Sequence, residues 1–367
     1  MPNLNLNGFA ISCCVNPVKN KGITNMSAFS FLQNHWLTFR KNRTEKTDDA
    51  QVPVIRLGYL ANLTHAQAVI GVDSGSFAAA VAPARLETRV FTAGPALLTA
   101  LNLGKIDVAY VGPSPALNSW AKHKGRNLVV VAGAAANGVS IIASANSGIR
   151  VTEQLKGRSI GVPLKDNGQD LAARWFLEKE LRQTTPLQVI PVPIRKQAEQ
   201  LRNGELDAVW AAEPWATHIL QESGGHIVAE EKDLWPGGQF SQAVVIVTPR
   251  FLAANRDLVQ KLIAEHERLT QVLQRQAPSQ AIVIASALGR LSGSTLSISS
   301  VLEALTRVQF TTDPLVETWK ALAQRRQVLG QETEKINLTG LVDATLLKEP
   351  VYQPETALDP ASGLEVP

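Results

Sequence analysis

The sequence predicts an α/β fold made of two similarly built lobes with a cleft between them. Two observations carry this prediction: a unit of sequence that occurs twice, and apolar runs of strand length flanked by helical patterns. The repeated unit covers Leu101–Tyr110 and Leu201–Trp210, with Leu, Gly and Asp at identical offsets and an aromatic residue at the end. Two copies of a whole unit indicate two lobes, and the space between two lobes suits a binding cleft.

The repeated unit is typical of a helix, a turn and a buried strand. An apolar helix runs up to Gly104 in the first copy and up to Gly204 in the second. Glycine readily adopts the left-handed conformation that ends a helix. The mostly apolar runs Ile106–Val111 and Leu206–Ala211 follow. Their length and flanking helices predict buried parallel strands.

Each of these strands enters a proline-bearing loop, Gly112–Pro115 or Glu213–Trp215. Proline suits the first turn of a helix, and the free amides of a helix N-terminus favour an anion or a polar group. Because open α/β sheets bind ligands at the carboxyl ends of parallel strands, we expect both loops in the cleft. The alternative is that Gly and Pro only mark the junction. Asp107 and Asp207 lie at the other end of the strands, so we expect them to affect stability and not ligand contact.

Each lobe also begins alike, with a strand that ends in glycine, a polar loop and a helix. In the first lobe these segments are Ile55–Gly58, Asn62–His65 and Ala66–Gly71. In the second lobe they are Arg158–Gly161, Asp166–Asp170 and Leu171–Leu181.

The 367 residues are enough for two domains. The most apolar stretch, Leu128–Ala145, is broken by Asn137 and Gly138, so it predicts two strands around a loop and not a membrane span. We expect Ile141–Ala143 to lead into the second lobe and Val244–Val247 to lead back, and two such crossings form a hinge. The predicted domains are a leader or disordered segment at 1–50, lobe 1 at 51–144 and 248–345, lobe 2 at 145–247, and a tail at 346–367.

The N-terminal segment holds the only cysteines, Cys13 and Cys14. The folded body therefore has no thiol, disulfide or cysteine metal site, which suits an oxidising compartment. Phe9–Cys13 faintly resembles a lipoprotein cleavage site, but the segment lacks the charged start of a secretory signal. The leader is atypical for an exported protein.

Composition excludes several classes of function. Apolar residues make up 45% of the chain and charged residues 19%, as in soluble globular proteins. The net charge of +4 is small, Lys and Arg are scattered, and aromatic residues make up 5%. Without a basic stripe or a stacking platform, we expect no nucleic-acid partner.

No catalytic motif is present: the sequence has no GxSxG elbow, Walker loop, GxGxxG loop after a strand, or HExxH. His65 and Ser114 lack a third group to make a base and nucleophile pair. A metal site of His65, Asp166 and Glu213 has no support from spacing. We therefore expect no catalytic residue, no metal and no cofactor.

The cleft loops instead carry a polar ring suited to binding. Thr64 and Ser114 supply hydroxyls, Asn62, Asn137, Asn167 and Gln169 supply amides, and His65 supplies an imidazole. Gly112, Pro113 and Gly138 supply loop backbone, and Trp215 supplies an aromatic wall. Asp166, Asp170 and Glu213 complete the predicted ligand-binding set, with two alternatives for their carboxylates. They contact a ligand amine or a metal, or they cap helix N-termini, which we favour for Asp170 and Glu213. Trp215 also has two alternatives, a cleft wall or packing between the lobes.

Several motifs resemble solute-binding proteins of ABC importers, in their nitrate, sulfonate and taurine branch and above all the aliphatic-sulfonate-binding proteins. In the first lobe these motifs are Phe91–Ala96, Ala100–Asp107 and Gly112–Pro115. In the second lobe they are Leu155–Val162, Glu213–Ala216 and Asp233–Gly237. The resemblance covers about residues 54–330.

This resemblance implies a type II periplasmic-binding-protein fold, whose two α/β lobes, joined by two crossing strands, close on a solute. It implies a periplasmic or membrane-anchored extracytoplasmic protein that delivers a small polar or anionic solute, such as an aliphatic sulfonate, taurine or nitrate, to an inner-membrane permease with its ATPase. We expect a monomer. The acidic residues of the second lobe would suit a zwitterion or an amine-bearing solute. The alternative is an enzyme or a sensory module on the same fold, similar to those of thiamine-precursor or menaquinone pathways.

Overall fold

The computed structural model describes residues 52–292 and 296–348. Its strands are β1 (Val54–Leu60), β2 (Arg85–Phe91), β3 (Val108–Val111), β4 (Val129–Asn137), β5 (Val139–Ala143), β6 (Ile160–Val162), β7 (Val189–Pro191), β8 (Ala208–Ala212), β9 (His226–Glu230), β10 (Ser241–Val247) and β11 (Val308–Phe310). Its α-helices are α1 (Ala66–Asp73), α2 (Ser76–Val81), α3 (Gly94–Asn102), α4 (Pro113–Lys122), α5 (Gly168–Trp175), α6 (Ile194–Arg202), α7 (Trp215–Ser223), α8 (Pro249–Ala254), α9 (Arg256–Ser292), α10 (Ile298–Leu305) and α11 (Val316–Val328).

Two mixed sheets organise the described residues. The first has the strand order β11-β4-β10-β3-β1-β2, and the second has the order β7-β6-β8-β5-β9. The two are built alike where the sequence repeats, because β3 pairs in parallel with β1 and β8 pairs in parallel with β6. The other neighbour of each repeated strand is antiparallel, β10 beside β3 and β5 beside β8.

The chain passes from the first sheet to the second at Gly138, between β4 and β5. Asn137 and Gly138 both have positive φ, 62° and 73°, a conformation that redirects the chain sharply. The chain returns through residues 231–240 to β10. We call residues 52–137 and 241–348 lobe 1 and residues 139–240 lobe 2.

These crossings correct the predicted lobe boundaries after residues 144 and 247. Ile141–Ala143 lies wholly in the second sheet, and Val244–Val247 lies wholly in the first. Each run therefore belongs to the lobe that the chain has already entered. An apolar run of strand length fits a buried strand of either sheet, so the run alone does not show where the crossing falls.

The repeated strands are buried on both faces, as the apolar runs predict. In β3, Val108 and Tyr110 pack in one hydrophobic cluster, and Ala109 and Val111 pack in another. In β8, Trp210 belongs to that second cluster, which therefore runs through both lobes. Val209 and Ala211 of β8, on either side of Trp210, pack in a third cluster with α6 and α7. The lobes are thus joined by a shared apolar core as well as by the two crossings.

The predicted C-terminal ends of the two helices in the repeated unit are confirmed. Gly104 and Gly204 have φ of 65° and 75° and follow α3 and α6 closely. Pro113 is the first residue of α4, as expected. Pro214 lies one residue before α7 and not within its first turn.

Among the described helices, none combines the length and the apolar character that a membrane crossing needs. The predicted leader at 1–50, with Cys13 and Cys14, lies outside the described residues. Of the predicted tail at 346–367, only residues 346–348 are described, and Leu346 is buried.

Candidate functional site

A cavity of about 790 Å³ lies between the two lobes. Lobe 1 contributes the loop after β1, the N-terminus of α4 and one face of α11, and lobe 2 contributes the loop before α5 and the start of α7. The predicted site residues that line it are Asn62, Thr64, His65, Gly112, Pro113, Ser114, Asp166, Asn167, Gln169 and Trp215. The loops that follow equivalent strands thus meet at one cavity, as their position at strand ends predicts.

Ser114 lies in the first turn of α4, directly after an extended Gly112 and the helix-starting Pro113. Its side chain is buried, and its Oγ has no hydrogen-bond partner among the described residues. The amides of a first helical turn have no acceptor within the helix, and the helix dipole places partial positive charge there. This end of α4 therefore offers a hydroxyl and backbone N–H groups to a polar or anionic group.

His65 offers a neutral donor. Its Nδ1 accepts the backbone N–H of Leu60 at 3.1 Å, so Nε2 carries the ring hydrogen. Complete burial lowers the pKa of His65 to about 3, because water no longer stabilises the charged ring. At neutral pH this imidazole is uncharged and can donate one hydrogen bond. In the described part of the chain no carboxylate hydrogen-bonds to it, so the orienting group of a catalytic triad is missing.

Four buried side-chain oxygens without a hydrogen-bond partner among the described residues belong to residues that line the cavity. They are Asn62 Oδ1, Ser114 Oγ, Asn118 Oδ1 and Ser241 Oγ. They have no hydrogen-bond partner within the described ranges, and other atoms of this kind lie elsewhere in the fold. Buried polar atoms are nearly always hydrogen-bonded in folded proteins. Several such atoms beside one cavity indicate a place for a polar ligand.

The loop before α5 is held by its own side chains. Asn167 caps α5 by accepting the N–H of Asp170 at 2.8 Å, and its amide donates to Gln169 at 2.9 Å. The carboxylate of Asp170 accepts the N–H of Asp166 at 3.0 Å and pairs with Arg174 at 2.9 Å. Asp170 is buried and does not line the cavity, which corrects its predicted place in the ligand-binding set. Its carboxylate holds the loop before α5 and Arg174, and the N-terminus of α5 is capped by Asn167 and not by Asp170.

Glu213 also lies away from the cavity wall, contrary to its predicted place in the set. The side chain is fully buried, accepts the N–H of Thr217 in the first turn of α7 at 3.0 Å, and pairs with Arg307 at 3.1 Å. Burial raises the pKa of Glu213, opposed by these hydrogen bonds and by the Arg307 charge. Because Arg307 belongs to lobe 1, the carboxylate both caps a helix and connects the lobes.

Asn137 and Gly138 are likewise not cavity residues, which corrects their predicted role. The Oδ1 of Asn137 accepts the N–H of Phe240 at 3.2 Å, and a side chain at Gly138 would strike Val308. The two residues serve the crossing between the sheets. The amide of Asn137 suits a ligand, but the positive φ of both residues places them in a turn.

The structure adds cavity residues that the sequence did not single out: Asn118, Glu231, Trp235, Phe240, Ser241 and Arg325. Only Trp235 had a signal, as part of the motif Asp233–Gly237. Arg325 comes from α11 and carries no local pattern that marks it. Within the described ranges, no group of three His, Cys, Asp or Glu side chains is placed to hold a metal ion.

Known proteins are similar to this chain in sequence and in fold. Over 179 residues the chain is 29% identical to a candidate binding protein of Brucella abortus strain 2308, a match that covers 48% of this chain and 54% of that protein. Over 210 residues it is 25% identical to a candidate aliphatic sulfonates-binding protein of Escherichia coli K12, covering 54% of this chain and 61% of that protein. These matches span between half and two thirds of the relatives' length.

Among solved structures, the periplasmic nitrate-binding protein NrtA from Synechocystis PCC 6803 is similar with a TM-score of 0.68, over 81% of this chain and 87% of NrtA, at 13% identity. The likeness confirms the predicted two-lobed periplasmic-binding-protein fold. The sequence profile of the NMT1-like family matches residues 48–288. Since that match covers more than half of the length of this chain, the chain belongs to the NMT1-like family.

Proposed function

We propose that this protein is a solute-binding protein of an ABC importer, which captures a small polar or anionic solute between its lobes. The observation that carries the proposal is the unpartnered Ser114 hydroxyl at the N-terminus of α4, inside a cavity between the lobes. Ser114 and the neutral His65 both line this cavity, and together with the first-turn amides of α4 they are hydrogen-bond donors. Several donors around one cavity suit an oxyanion, since each N–H or O–H can point at one of its oxygens.

The mechanism is binding without chemistry. The chain crosses between the lobes at Gly138 and at residues 231–240, and the lobes rotate about these two crossings. A solute that contacts Ser114 in lobe 1 and Asn167 in lobe 2 would stabilise the closed arrangement over an open one. Such ligand-driven closure is the usual action of two-lobed binding proteins.

Partner and location follow from the same proposal. The E. coli relative is named as an aliphatic sulfonates-binding protein, and NrtA is named as a nitrate-binding protein. Both names refer to small anions. We extend this to the present chain as an extracytoplasmic, monomeric protein that hands an aliphatic sulfonate, taurine or nitrate-like solute to a membrane permease with its ATPase.

A thermal-shift screen of the full chain tests the proposal. The panel contains alkanesulfonates, taurine, nitrate, bicarbonate, phosphonates, amino acids and thiamine precursors. A solute that binds only the folded state raises the melting temperature saturably, and it should be recovered chemically unchanged. Absence of a shift with every compound, or conversion of the bound compound into a product, would contradict a transport-binding role.

A further inference from the structure

Arg325 is a mostly buried cation in the cavity wall, with no hydrogen-bond or ion-pair partner among the described residues. It lies on α11 of lobe 1, its residue surface is 8% exposed, and it lines the cavity. It makes no hydrogen bond or ion pair with another described residue through its side chain. A guanidinium has five N–H donors in a planar fork and remains charged in proteins. A mostly buried charge of this kind is costly unless an acceptor meets it.

Aromatic stacking holds the guanidinium in place. The Cζ of Arg325 lies 3.8 Å from the ring centroid of Trp235 and 5.4 Å from that of Trp175. Trp235 in turn stacks on Phe240, with centroids 5.3 Å apart and planes 11° apart. Stacking contacts the face of a guanidinium and leaves the N–H groups at its edge free to meet an acceptor. Arg325 is thus positioned without using its donors.

The carboxylates near Arg325 are engaged elsewhere. Both oxygens of Glu231 accept indole N–H groups, from Trp210 at 2.6 Å and from Trp235 at 3.0 Å. Glu180 accepts the indole N–H of Trp175 at 3.0 Å. Neither acid lies within ion-pair distance of Arg325 in the part of the chain that the structure describes. These carboxylates fix the indoles and leave the guanidinium for an oxyanion that enters the cavity.

The cavity also has an apolar wall. Trp215, Trp235, Phe240 and Leu322 line it together with the polar groups. A volume of about 790 Å³ is that of a pocket for an organic molecule. An inorganic anion would leave most of this wall without contact.

We propose that Arg325 is the charge-selecting residue of this site, and that the solute is an organic anion. Its carboxylate or sulfonate group pairs with the guanidinium of Arg325, and its carbon body contacts the apolar wall. This inference rests on the proposed solute-binding function. It places a charged anchor on α11, in addition to the uncharged donors of Ser114 and His65.

The test compares Arg325→Gln and Arg325→Lys with a matched control, Arg89→Gln. Arg89 also stacks on an aromatic ring, with its Cζ 4.9 Å from the centroid of Phe91, but it does not line the cavity. The probes are butanesulfonate, benzenesulfonate, benzoate and nitrate, with butanesulfonamide and benzenesulfonamide as neutral counterparts and choline as a cation. Dissociation constants are measured by calorimetry on the full chain.

We expect an organic anion to bind the wild type roughly tenfold or more tightly than its neutral counterpart and than nitrate. Arg325→Gln should weaken the binding of that anion by roughly 10- to 100-fold and abolish the preference for the charged probe over the neutral one. Arg325→Lys should retain part of the anion affinity, and Arg89→Gln should leave all affinities unchanged. The comparison of charged and neutral probes needs only the wild type, so it holds even if a variant fails to fold.

Two outcomes separate this inference from the proposed function. Unchanged anion affinity in a folded Arg325→Gln variant, or a wild type that prefers nitrate, choline or a sulfonamide, would overturn the role of Arg325 and leave solute binding intact. A wild type that binds none of these probes, and none of the thermal-shift panel, would overturn both.

Discussion

Asp107 and Asp207 make the same contact in the two lobes. Each residue precedes a repeated strand. The carboxylate of Asp107 accepts the backbone N–H of Arg56, in β1, at 3.1 Å, and that of Asp207 accepts the N–H of Ser159, directly before β6, at 2.9 Å. Each also pairs with an arginine, Asp107 with Arg56 at 2.6 Å and Asp207 with Arg158 at 3.4 Å, and Asp207 accepts the Ser159 hydroxyl at 2.9 Å. Neither residue lines the cavity. The repeat in the sequence therefore preserves a contact that joins strands.

Asp107→Ala should lower the free energy of unfolding by about 2–4 kcal/mol, because it removes a bidentate partner that is itself buried. Asp207→Ala should cost less, about 1–2 kcal/mol, since its side chain is 30% exposed. Urea unfolding measures both values. Calorimetry should show unchanged solute affinity in both variants, and a large loss of affinity at unchanged stability would refute their placement away from the site.

The pair of Glu213 and Arg307 offers a second test of stability. Glu213→Ala should lower the free energy of unfolding by about 2–4 kcal/mol, because the carboxylate is fully buried. Its removal takes an ion-pair partner from Arg307 and the hydrogen-bond acceptor from the Thr217 amide. Glu303→Ala is the matched control, since Glu303 also pairs with Arg307 but has a side chain that is 36% exposed. The control should cost about 0–1 kcal/mol. Equal losses in urea unfolding would show that burial of Glu213 adds nothing.

Ser114→Ala should weaken solute binding roughly three- to tenfold, because in the proposed site the hydroxyl donates to the solute, and it bonds to no described residue. Without solute, the stability of the variant should be unchanged or slightly higher, since no protein hydrogen bond is lost. Ser140→Ala is the matched control, because Ser140 Oγ is also buried and unpartnered but lies away from the cavity. If both variants bind with the same affinity, the hydroxyl of Ser114 does not contact the solute.

The contribution of His266 to stability should be lost as the pH drops below neutrality. His266 donates from Nε2 to the Gly133 carbonyl and accepts the Tyr110 hydroxyl at Nδ1, both at 2.8 Å, and burial lowers its pKa from 6.5 to about 4. A lowered folded pKa means that the unfolded chain binds the proton first, so stability is present above pH 6.5 and is lost as the pH falls toward 4. His65, with its pKa lowered to about 3, acts in the same direction.

Comparison with His266→Gln isolates this effect. Glu213 and Glu231 have raised pKa values through burial and act with the opposite sign, but they are common to both proteins. Between pH 6.5 and pH 4.5, the wild type should lose about 1 kcal/mol per pH unit more than the variant. Urea unfolding over this range gives the two slopes. Identical slopes would mean that His266 is not kept neutral by the fold.

The fold could be predicted because its signals are local. Gly104 and Gly204 end helices through their own backbone conformation, and the strands that follow are recognisable by their apolar runs. The loops at Thr64, Ser114 and Asn167 were predictable as cavity residues, since a position after a parallel strand directs a loop to the same edge of the sheet.

The rest of the site depends on packing between distant segments. Arg325 is a cavity residue only because α11 packs where Trp235 stacks on it, and nothing near Arg325 in the sequence indicates that contact. Asn137 ends a strand and Glu213 follows one, at positions like those of cavity residues, but their side chains find partners in Phe240 and Arg307. Such partners come from the opposite lobe or from the returning chain, so position alone did not reveal them.

The central claim is that the space between the lobes holds one solute and leaves it unaltered. Titration calorimetry of the full chain with the most stabilising compound of the panel, followed by NMR of the released compound, tests it most directly. We predict saturable binding of one molecule per chain, weakened by Ser114→Ala and not by Ser140→Ala, with an unchanged NMR spectrum. A chemically altered compound, or binding that Ser114→Ala and Ser140→Ala affect alike, would contradict the claim.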